Sequence, residues 1–441
     1  MKVNTKSIQI YMILKINLKN KDQISIFLFY SVSNALNKGI SILALPILSV
    51  YLSISDFGLW SLSNISIVVL APIISFNGYA SILREGVGEK RLAWNILKKY
   101  LVISSIMSIC IGAVAIFNLQ NWIFITLLLA CVEAFQVLLL GWYRSQDNHL
   151  SYMLVSLIKI FSIILSVFIL DNINVVSVLQ LQLVISSIML LFFYFFLLIK
   201  NKKILKEDLD FKKIISFSLL LIPHNLSLWI LSSSDRFIIK SLIGEYELGI
   251  YSVCYSIGLI IMLLNTGVAL VLPNYIIKNY KVYIIGSIRR KLIFYYSTCV
   301  ITLSVVIFFS ISYFKDYFEF LKAINTGSIN IILWIINGLY LLGLYYFYSN
   351  ILFYKRRAKY ISISTLFGAL LNIFLTIFLI PIYGTVGAAI ATFISYFIYL
   401  FFIFYFAQKT EKSLNNDLIF LISVILVTLF LNFTFFKVSI S

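Results

Sequence analysis

Charged residues are scarce in this 441-residue chain: Asp, Glu, Lys and Arg together make up only 12% of it. Hydrophobic residues make up 61%, and the mean hydropathy is +1.00. One soluble core cannot bury that much apolar surface, so lipid must solvate the excess. The apolar runs are continuous rather than alternating, which excludes membrane β-strands. The sequence therefore predicts an all-α polytopic membrane protein.

Residues that could act in catalysis or bind a metal are also few. Histidine is limited to His149 and His224, and the sequence shows no nucleophile beside a base, no metal-ligand spacing and no phosphate loop. The four cysteines all lie in apolar runs, which is typical of buried thiols rather than disulfides or zinc ligands: Cys110, Cys131, Cys254 and Cys299. We therefore expect neither an enzyme nor a cofactor. The expected energy source is an H⁺ or Na⁺ gradient, the substrate gradient or downstream consumption of the product.

The apolar runs predict thirteen membrane spans, most of them about twenty residues long. We place these spans at residues 25–51, 57–80, 100–118, 121–142, 151–170, 176–199, 214–234, 247–272, 292–313, 328–353, 360–381, 385–407 and 418–436.

Most of the 35 Lys and Arg residues fall in alternate loops, and the chain has a formal charge of +18. The opposite loops contain only Lys240, Lys315, Lys322 and Lys437. Basic loops remain on the cytoplasmic side, so the N-terminus is predicted to be cytoplasmic. The same residues face anionic membrane lipids, and we expect no nucleic-acid partner.

A short internal echo relates residues 55–62 (SDFGLWSL) to residues 246–253 (YELGIYSV). Both copies occur where a span enters from the outer side, and an even number of spans separates them. This predicts two six-helix bundles related by a pseudo-twofold axis along the membrane normal. The predicted divisions are a cytoplasmic lead-in at 1–23, an N-terminal bundle at 24–200, a linker at 201–212, a C-terminal bundle at 213–407, and an extension with an extra transmembrane helix at 408–441.

Five motifs follow one another across both halves: residues 48–61, 221–223, 233–239, 249–252 and 381–391. The ordered set resembles the O-antigen and capsule repeat-unit flippases (Wzx type), in the polysaccharide branch of the multidrug, oligosaccharidyl-lipid and polysaccharide exporter superfamily. The resemblance implies a central cavity that opens alternately to each side of the bacterial cytoplasmic (inner) membrane. The implied substrate is an undecaprenyl-pyrophosphate-linked oligosaccharide, carried to the outer leaflet, and the implied partners are the polysaccharide polymerase and chain-length machinery. The thirteenth span departs from the commoner twelve or fourteen, which leaves the side of the C-terminus open.

Charged residues at membrane depth are candidates for the substrate site, because lipid penalises them unless they face a cavity or a partner. Lys38 lies in mid-span beside Asn37 and one turn from Asn34, and its ammonium group is suited to a pyrophosphate. Alternatively, Lys38 pairs with Glu133 or extends to the cytoplasmic surface. Glu133 pairs with Lys38 or Lys159, or carries a coupling proton. Lys159 either lines the cavity or extends to the surface.

A second set of candidates belongs to gating or ion coupling. Asp235 and Arg236 close the seventh predicted span, where a local ion pair competes with a gating role. His224 is either a hydrogen-bonded core residue or a proton relay. Pro46 and Pro223 interrupt the first and seventh spans and permit kinks that open access as the halves move, or that serve packing alone.

Two other functions stay open. A cation-coupled small-molecule or drug antiporter of the same superfamily would favour carboxylates over Lys in its pocket, and this chain has few buried acids. A membrane glycan polymerase or ligase would present a long outer loop, whereas every outer connection predicted here is short.

Overall fold

The structure is a computed structural model that describes residues 44–45, 47–48, 50–115, 120–170, 173–201, 210–314, 317, 326–415 and 417–440. Most of the first predicted span, with Lys38, Asn34, Asn37 and Pro46, lies outside the described residues.

The described residues form thirteen α-helices. They are α1 (Ile54–Ile74), α2 (Gly78–Gly86), α3 (Lys90–Ala115), α4 (Asn121–Ser145), α5 (His149–Ile169), α6 (Val175–Asn201), α7 (Phe211–Leu242), α8 (Glu245–Gly258), α9 (Ile260–Ile284), α10 (Ser287–Phe314), α11 (Thr326–Tyr354), α12 (Ala358–Thr410) and α13 (Asp417–Ile440).

Eleven of these helices are long and apolar enough to cross a membrane. One of them, α12, has 53 residues, about twice what a bilayer requires. Gly384 divides it with a left-handed φ of +60°, which glycine adopts without steric strain. The two predicted spans at 360–381 and 385–407 therefore exist as the two arms of α12, and the all-helical membrane fold is confirmed.

Two predicted spans are each divided into two helices. The span at 57–80 breaks between α1 and α2, because Phe76 and Asn77 adopt left-handed φ values of 49° and 52°. The span at 247–272 breaks after Gly258, where α8 gives way to α9. Hydropathy reports apolar length and not backbone direction, so it does not locate such breaks.

The helices pack into two bundles. In the N-terminal bundle α4 packs against α1, α2, α3, α5 and α6; in the C-terminal bundle α11 packs against α8, α9, α10, α12 and α13. A separate apolar core built around Trp94, Tyr100 and Trp142 holds one end of the N-terminal bundle together. We call the end of the molecule that carries the Lys- and Arg-rich connections the basic end.

The last helix, α13, belongs to the C-terminal bundle. The Asn432 amide donates a hydrogen bond to Asn337 Oδ1 at 2.7 Å, and Asp417 at the start of α13 accepts one from Arg289 Nε at 2.6 Å. Asp417 and Arg289 both have fully buried side chains. The predicted extra transmembrane helix is thus a packed part of the fold.

Candidate functional site

A cavity of about 370 Å³ lies between the two bundles at membrane depth, with α1 on one side and α7 on the other. Its α1 wall is apolar and includes Pro72. Its α7 wall adds an amide, an indole and two hydroxyls from Asn225, Trp229, Ser232 and Ser233. Both bundles therefore contribute to this cavity, and its wall is mostly apolar with a polar stripe on one helix.

Trp229 connects the bundles beside this cavity. Its indole Nε1 donates a hydrogen bond to the Ile65 carbonyl of α1 at 2.8 Å. Toward the basic end, the Tyr100 hydroxyl lies 2.8 Å from Ser218 Oγ, and Ser81 Oγ donates to the Ile214 carbonyl at 3.2 Å. The α1–α7 side of the bundle interface is thus held by hydrogen bonds beside the cavity and toward the basic end.

The two copies of the sequence echo meet at the end opposite to the basic end, where α1 crosses α8. A Cβ atom at Gly58 would lie 2.7 Å from the Gly249 amide nitrogen, and a Cβ at Gly249 would overlap the Ile54 carbonyl. Glycine is required at both positions because the two backbones touch. We call this contact the glycine seam; it closes the bundle interface at that end.

Asp235 is the centre of a buried polar cluster in the C-terminal bundle and is 1% exposed. The Tyr251 hydroxyl of α8 donates a hydrogen bond to its carboxylate, and the Arg236 amide donates another at 2.9 Å. The Thr392 hydroxyl of α12 lies 3.4 Å from the same carboxylate, and the Asn372 amide donates to Thr392 at 3.4 Å. Three helices thus converge on one carboxylate away from solvent.

Arg236 does not neutralise Asp235 directly. Its guanidinium lies over the Tyr255 ring at 4.0 Å, and its buried Nε has no hydrogen-bond partner within the described part of the chain. Of the ion pairs between described residues, none includes Asp235 or Arg236. The two residues lie about two turns before the end of α7 and are both buried, so the geometry differs from an exposed ion pair at a helix end.

Glu133 and Lys159 come together inside the N-terminal bundle. They line one cavity of about 10 Å³, with Gln182, Ser162 and Ser186. That volume holds about one water molecule. No ion pair within 4.0 Å joins the two side chains among the described ion pairs. The structure therefore groups Glu133 with Lys159 in a small polar site apart from the inter-bundle cavity.

His224 and Pro223 lie on α7 near the inter-bundle cavity but not among its lining residues. His224 is half-buried, and no described residue forms a hydrogen bond with its Nδ1. Helix α7 continues through Pro223, whose carbonyl accepts a hydrogen bond from Ser227 Oγ at 2.8 Å. Pro223 therefore does not end α7, and the Ser227 hydroxyl bonds back to the helix backbone one turn earlier.

The sequence marks Asp235 as a candidate, but it does not mark the other members of the cluster: Tyr251, Thr392 and Asn372. Tyr251 belongs to the echo, and Asn372 and Thr392 lie within predicted spans without a motif to mark them. Polar residues inside apolar runs were the available signal. Their convergence depends on the packing of α7, α8 and α12, which periodicity does not provide.

Two helical bundles with a cavity at their interface form a fold similar to that of solved MATE transporters. An inward-facing multidrug resistance MATE family transporter of the MOP superfamily superposes with a TM-score of 0.66 at 15% identity, covering 88% of this chain and 96% of the other. The MATE multidrug transporter DinF-BH, solved with a bound ligand, gives 0.60 at 14% identity, with the same coverage. An outward-facing MATE transporter gives 0.54 at 15% identity over the same shares of the chains.

The sequence itself identifies the family. Residues 26–272, more than half of the chain, match the family described as polysaccharide biosynthesis protein. The chain belongs to this family. No curated protein matches it.

Proposed function

We propose that this protein carries a lipid-linked oligosaccharide from the inner to the outer leaflet of the bacterial cytoplasmic membrane by alternating access, for O-antigen or capsule synthesis. The observation that carries the proposal is the inter-bundle cavity in a chain of the polysaccharide biosynthesis family. The cavity combines an apolar wall with amide, hydroxyl and indole groups. Such a wall suits an amphipathic substrate, in which a polar glycan is joined to a prenyl tail.

The proposed transport cycle begins from the state described here. The glycine seam closes the end opposite to the basic end, and the higher TM-score to the inward-facing MATE structure than to the outward-facing one is consistent with that state. With the basic end in the cytoplasm, as the positive-inside rule predicts, the substrate enters from the cytoplasmic leaflet once the Tyr100–Ser218 and Ser81–Ile214 hydrogen bonds between the bundles separate. Opening of the seam then releases it on the outer side.

Asp235 is the proposed coupling group for H⁺ or Na⁺. Its carboxylate is desolvated, receives a hydrogen bond from Tyr251 and has no ion-pair partner within the described residues. A buried carboxylate without a direct ion pair is unfavourable, so binding of a cation or proton changes the stability of the cluster. Because α7 also lines the inter-bundle cavity, occupancy at Asp235 is linked to the helix that contacts substrate.

The proposal includes Lys38, with Asn34 and Asn37, as the pyrophosphate-binding residues on the first span. In cells, Lys38→Ala is expected to abolish surface polysaccharide while the protein remains folded in the membrane. Lys2→Ala, which removes an equal charge from the predicted lead-in, is the matched control. Retained export in the Lys38→Ala strain would remove Lys38 from the site.

A second candidate function is a cation-coupled drug antiporter, which the mostly apolar cavity wall and the buried Asp235 carboxylate favour. Deletion of the gene distinguishes the two. A flippase deletion accumulates lipid-linked oligosaccharide on the cytoplasmic side and loses surface polysaccharide. An antiporter deletion leaves polysaccharide unchanged and increases sensitivity to cationic drugs, which would overturn the flippase proposal.

A further inference from the structure

A second, larger cleft of about 620 Å³ lies at the basic end of the N-terminal bundle. It is bounded by the start of α3, the end of α4, the start of α5 and the end of α6. None of its lining residues lines the inter-bundle cavity. The cleft therefore serves something other than the substrate path proposed above.

One side of this cleft faces lipid and the other is buried. Phe192 and Phe196 of α6 form the outer wall and are 58% and 53% exposed. Trp142 and Tyr143 at the end of α4 form the inner wall and are buried. Aromatic residues with a polar edge are typical of the level of the lipid headgroups. The cleft thus joins a hydrocarbon-facing side to a polar interior.

The charge of the cleft is positive. Lys90 at the start of α3 and Lys200 near the end of α6 are exposed and line it, whereas none of its lining residues in the described part of the chain is Asp or Glu. Glu89 and Asp147 adjoin lining residues in sequence and are also exposed, but they lie outside the lining. Two ammonium groups at the mouth of an interfacial cleft attract an anionic headgroup.

Asn201, the last residue of α6, limits which ligands suit the cleft. It lines the cleft and is 2% exposed. Its Nδ2 donates a hydrogen bond to the Leu197 carbonyl at 2.8 Å, which fixes the orientation of the amide. Its Oδ1 is buried and has no hydrogen-bond partner among the described residues. A buried acceptor left in this state is unfavourable, so a ligand that supplies a hydroxyl donor is favoured.

We infer that this cleft binds phosphatidylglycerol, the anionic glycerophospholipid whose headgroup carries free hydroxyls. Lys90 and Lys200 contact the phosphate, Asn201 Oδ1 accepts a hydrogen bond from a glycerol hydroxyl, and an acyl chain lies along Phe192 and Phe196. The bound lipid connects the ends of α3, α4, α5 and α6. This inference stands independently of the substrate proposed for the inter-bundle cavity.

The test is lipid binding to the delipidated full-length protein, measured by native mass spectrometry and by the thermal shift on lipid addition. The probes are phosphatidylglycerol, phosphatidylmethanol, phosphatidylethanolamine and free glycerol phosphate. Phosphatidylmethanol has the same charge as phosphatidylglycerol but no headgroup hydroxyl. The wild-type protein is expected to retain one phosphatidylglycerol in preference to the other three probes.

Two variants separate the contributions of charge and hydroxyl. Lys90→Ala/Lys200→Ala is expected to weaken phosphatidylglycerol binding by about tenfold. The matched control Lys212→Ala/Lys213→Ala removes the same charge from exposed positions at the start of α7 and is expected to bind as the wild type does. Asn201→Leu is expected to bind phosphatidylglycerol and phosphatidylmethanol equally.

Three results would overturn the inference. Equal weakening in the cleft and control double variants would mean general attraction between basic residues and anionic lipid. Equal binding of phosphatidylglycerol and phosphatidylmethanol by the wild-type protein would remove Asn201 from the site. Binding of free glycerol phosphate as tightly as the lipid would assign the cleft to a soluble phosphate ester. The lysine variants decide the matter even if Asn201→Leu does not fold, because both lysines are exposed.

Discussion

At the scale of single residues, the buried Asp235 carboxylate is the group that we propose for energy coupling. Asp235→Asn keeps the size of the side chain and its capacity to accept from Tyr251, but it removes the charge. We expect export to lose its dependence on an H⁺ or Na⁺ gradient and to fall by at least about tenfold. The measurement is the transport rate in vesicles with and without an imposed gradient.

The control for this prediction is Glu89→Gln, which removes one negative charge from an exposed turn. It is expected to transport at the wild-type rate. An Asp235→Asn protein that keeps both the wild-type rate and the gradient dependence would exclude Asp235 from coupling.

Some residues of the candidate site could be predicted from the sequence, but their contacts could not. Charged side chains at membrane depth stand out from their apolar surroundings, so Asp235, Glu133 and Lys159 could be identified from the sequence. The grouping of Glu133 with Lys159 was one of the predicted alternatives, and the structure places both at one small cavity. The hydrogen bonds that Tyr251 and Asn372 make with α7 could not be predicted, because each joins α7 to a different helix.

At the scale of helices, the glycine seam is the contact that must separate if the end opposite to the basic end is to open. Gly58→Leu would force the side chain against the Gly249 backbone, since even a Cβ atom lies 2.7 Å from the Gly249 nitrogen. We expect the variant to favour the outward-open state. Spin labels at positions 56 and 247, measured by double electron–electron resonance, should report a longer distance than in the wild-type protein.

Gly112→Leu is the matched control, because a Cβ atom at Gly112 meets nothing within 4 Å. It should give the wild-type distance distribution. An unchanged distribution in Gly58→Leu would show that the seam does not hold the closed state.

A second prediction at this scale concerns the basic end of the C-terminal bundle, where Glu411 follows α12. Lys355 of α11 forms an ion pair with Glu411, and the Tyr280 hydroxyl of α9 donates a hydrogen bond to it at 2.7 Å. Partial burial raises the pKa of Glu411, but the hydrogen bonds from Lys355 and Tyr280 and the charge of Lys355 outweigh it and hold the pKa below its ordinary value.

A carboxyl group whose pKa is lowered in the folded state stabilises the fold above its unfolded pKa, and this contribution is lost as the pH falls through the folded value. The unfolding temperature of the wild-type protein should therefore fall below about pH 4.3. Glu411→Gln should have a lower unfolding temperature at pH 7 and a weaker decrease on acidification. Equal pH profiles for the two proteins would contradict this role of Glu411.

Helices were predicted well from the sequence, and their interruptions were not. Apolar runs of about twenty residues have few alternatives in a bilayer, so the predicted spans in the described part of the chain correspond to observed helices. The breaks at Phe76 and Asn77 and at Gly258 depend on backbone conformation, which hydropathy does not report. The sequence shows the two copies of the echo. It does not show that the copies contact each other, because that contact depends on the packing of α1 on α8.

At the scale of the whole molecule, α13 is held to the C-terminal bundle by a fully buried ion pair. Arg289 bonds Asp417, and Arg290 approaches the same carboxylate at 2.8 Å. Asp417→Asn leaves a buried guanidinium without a counter-charge, and we expect a loss of about 3–5 kcal/mol in unfolding free energy. The measurement is thermal unfolding in detergent, where the variant should unfold at a clearly lower temperature.

The exposed pair Arg84–Glu85 provides the comparison, because both side chains are well exposed. Glu85→Gln should change the unfolding free energy by less than about 1 kcal/mol. If Asp417→Asn were equally mild, the buried pair would not be what anchors α13.

The central claim is that two bundles move about a shared cavity to carry a lipid-linked oligosaccharide across the bilayer. The direct test is purified protein in vesicles with a fluorescent polyprenyl-pyrophosphate oligosaccharide and an imposed H⁺ or Na⁺ gradient, with leaflet exposure followed by an enzyme that cleaves only outer-leaflet glycan. We expect the enzyme to cleave the glycan rapidly in vesicles that contain wild-type protein, and slowly in empty vesicles and in those with Asp235→Asn. Equal rates with folded wild-type protein and with empty vesicles would contradict it.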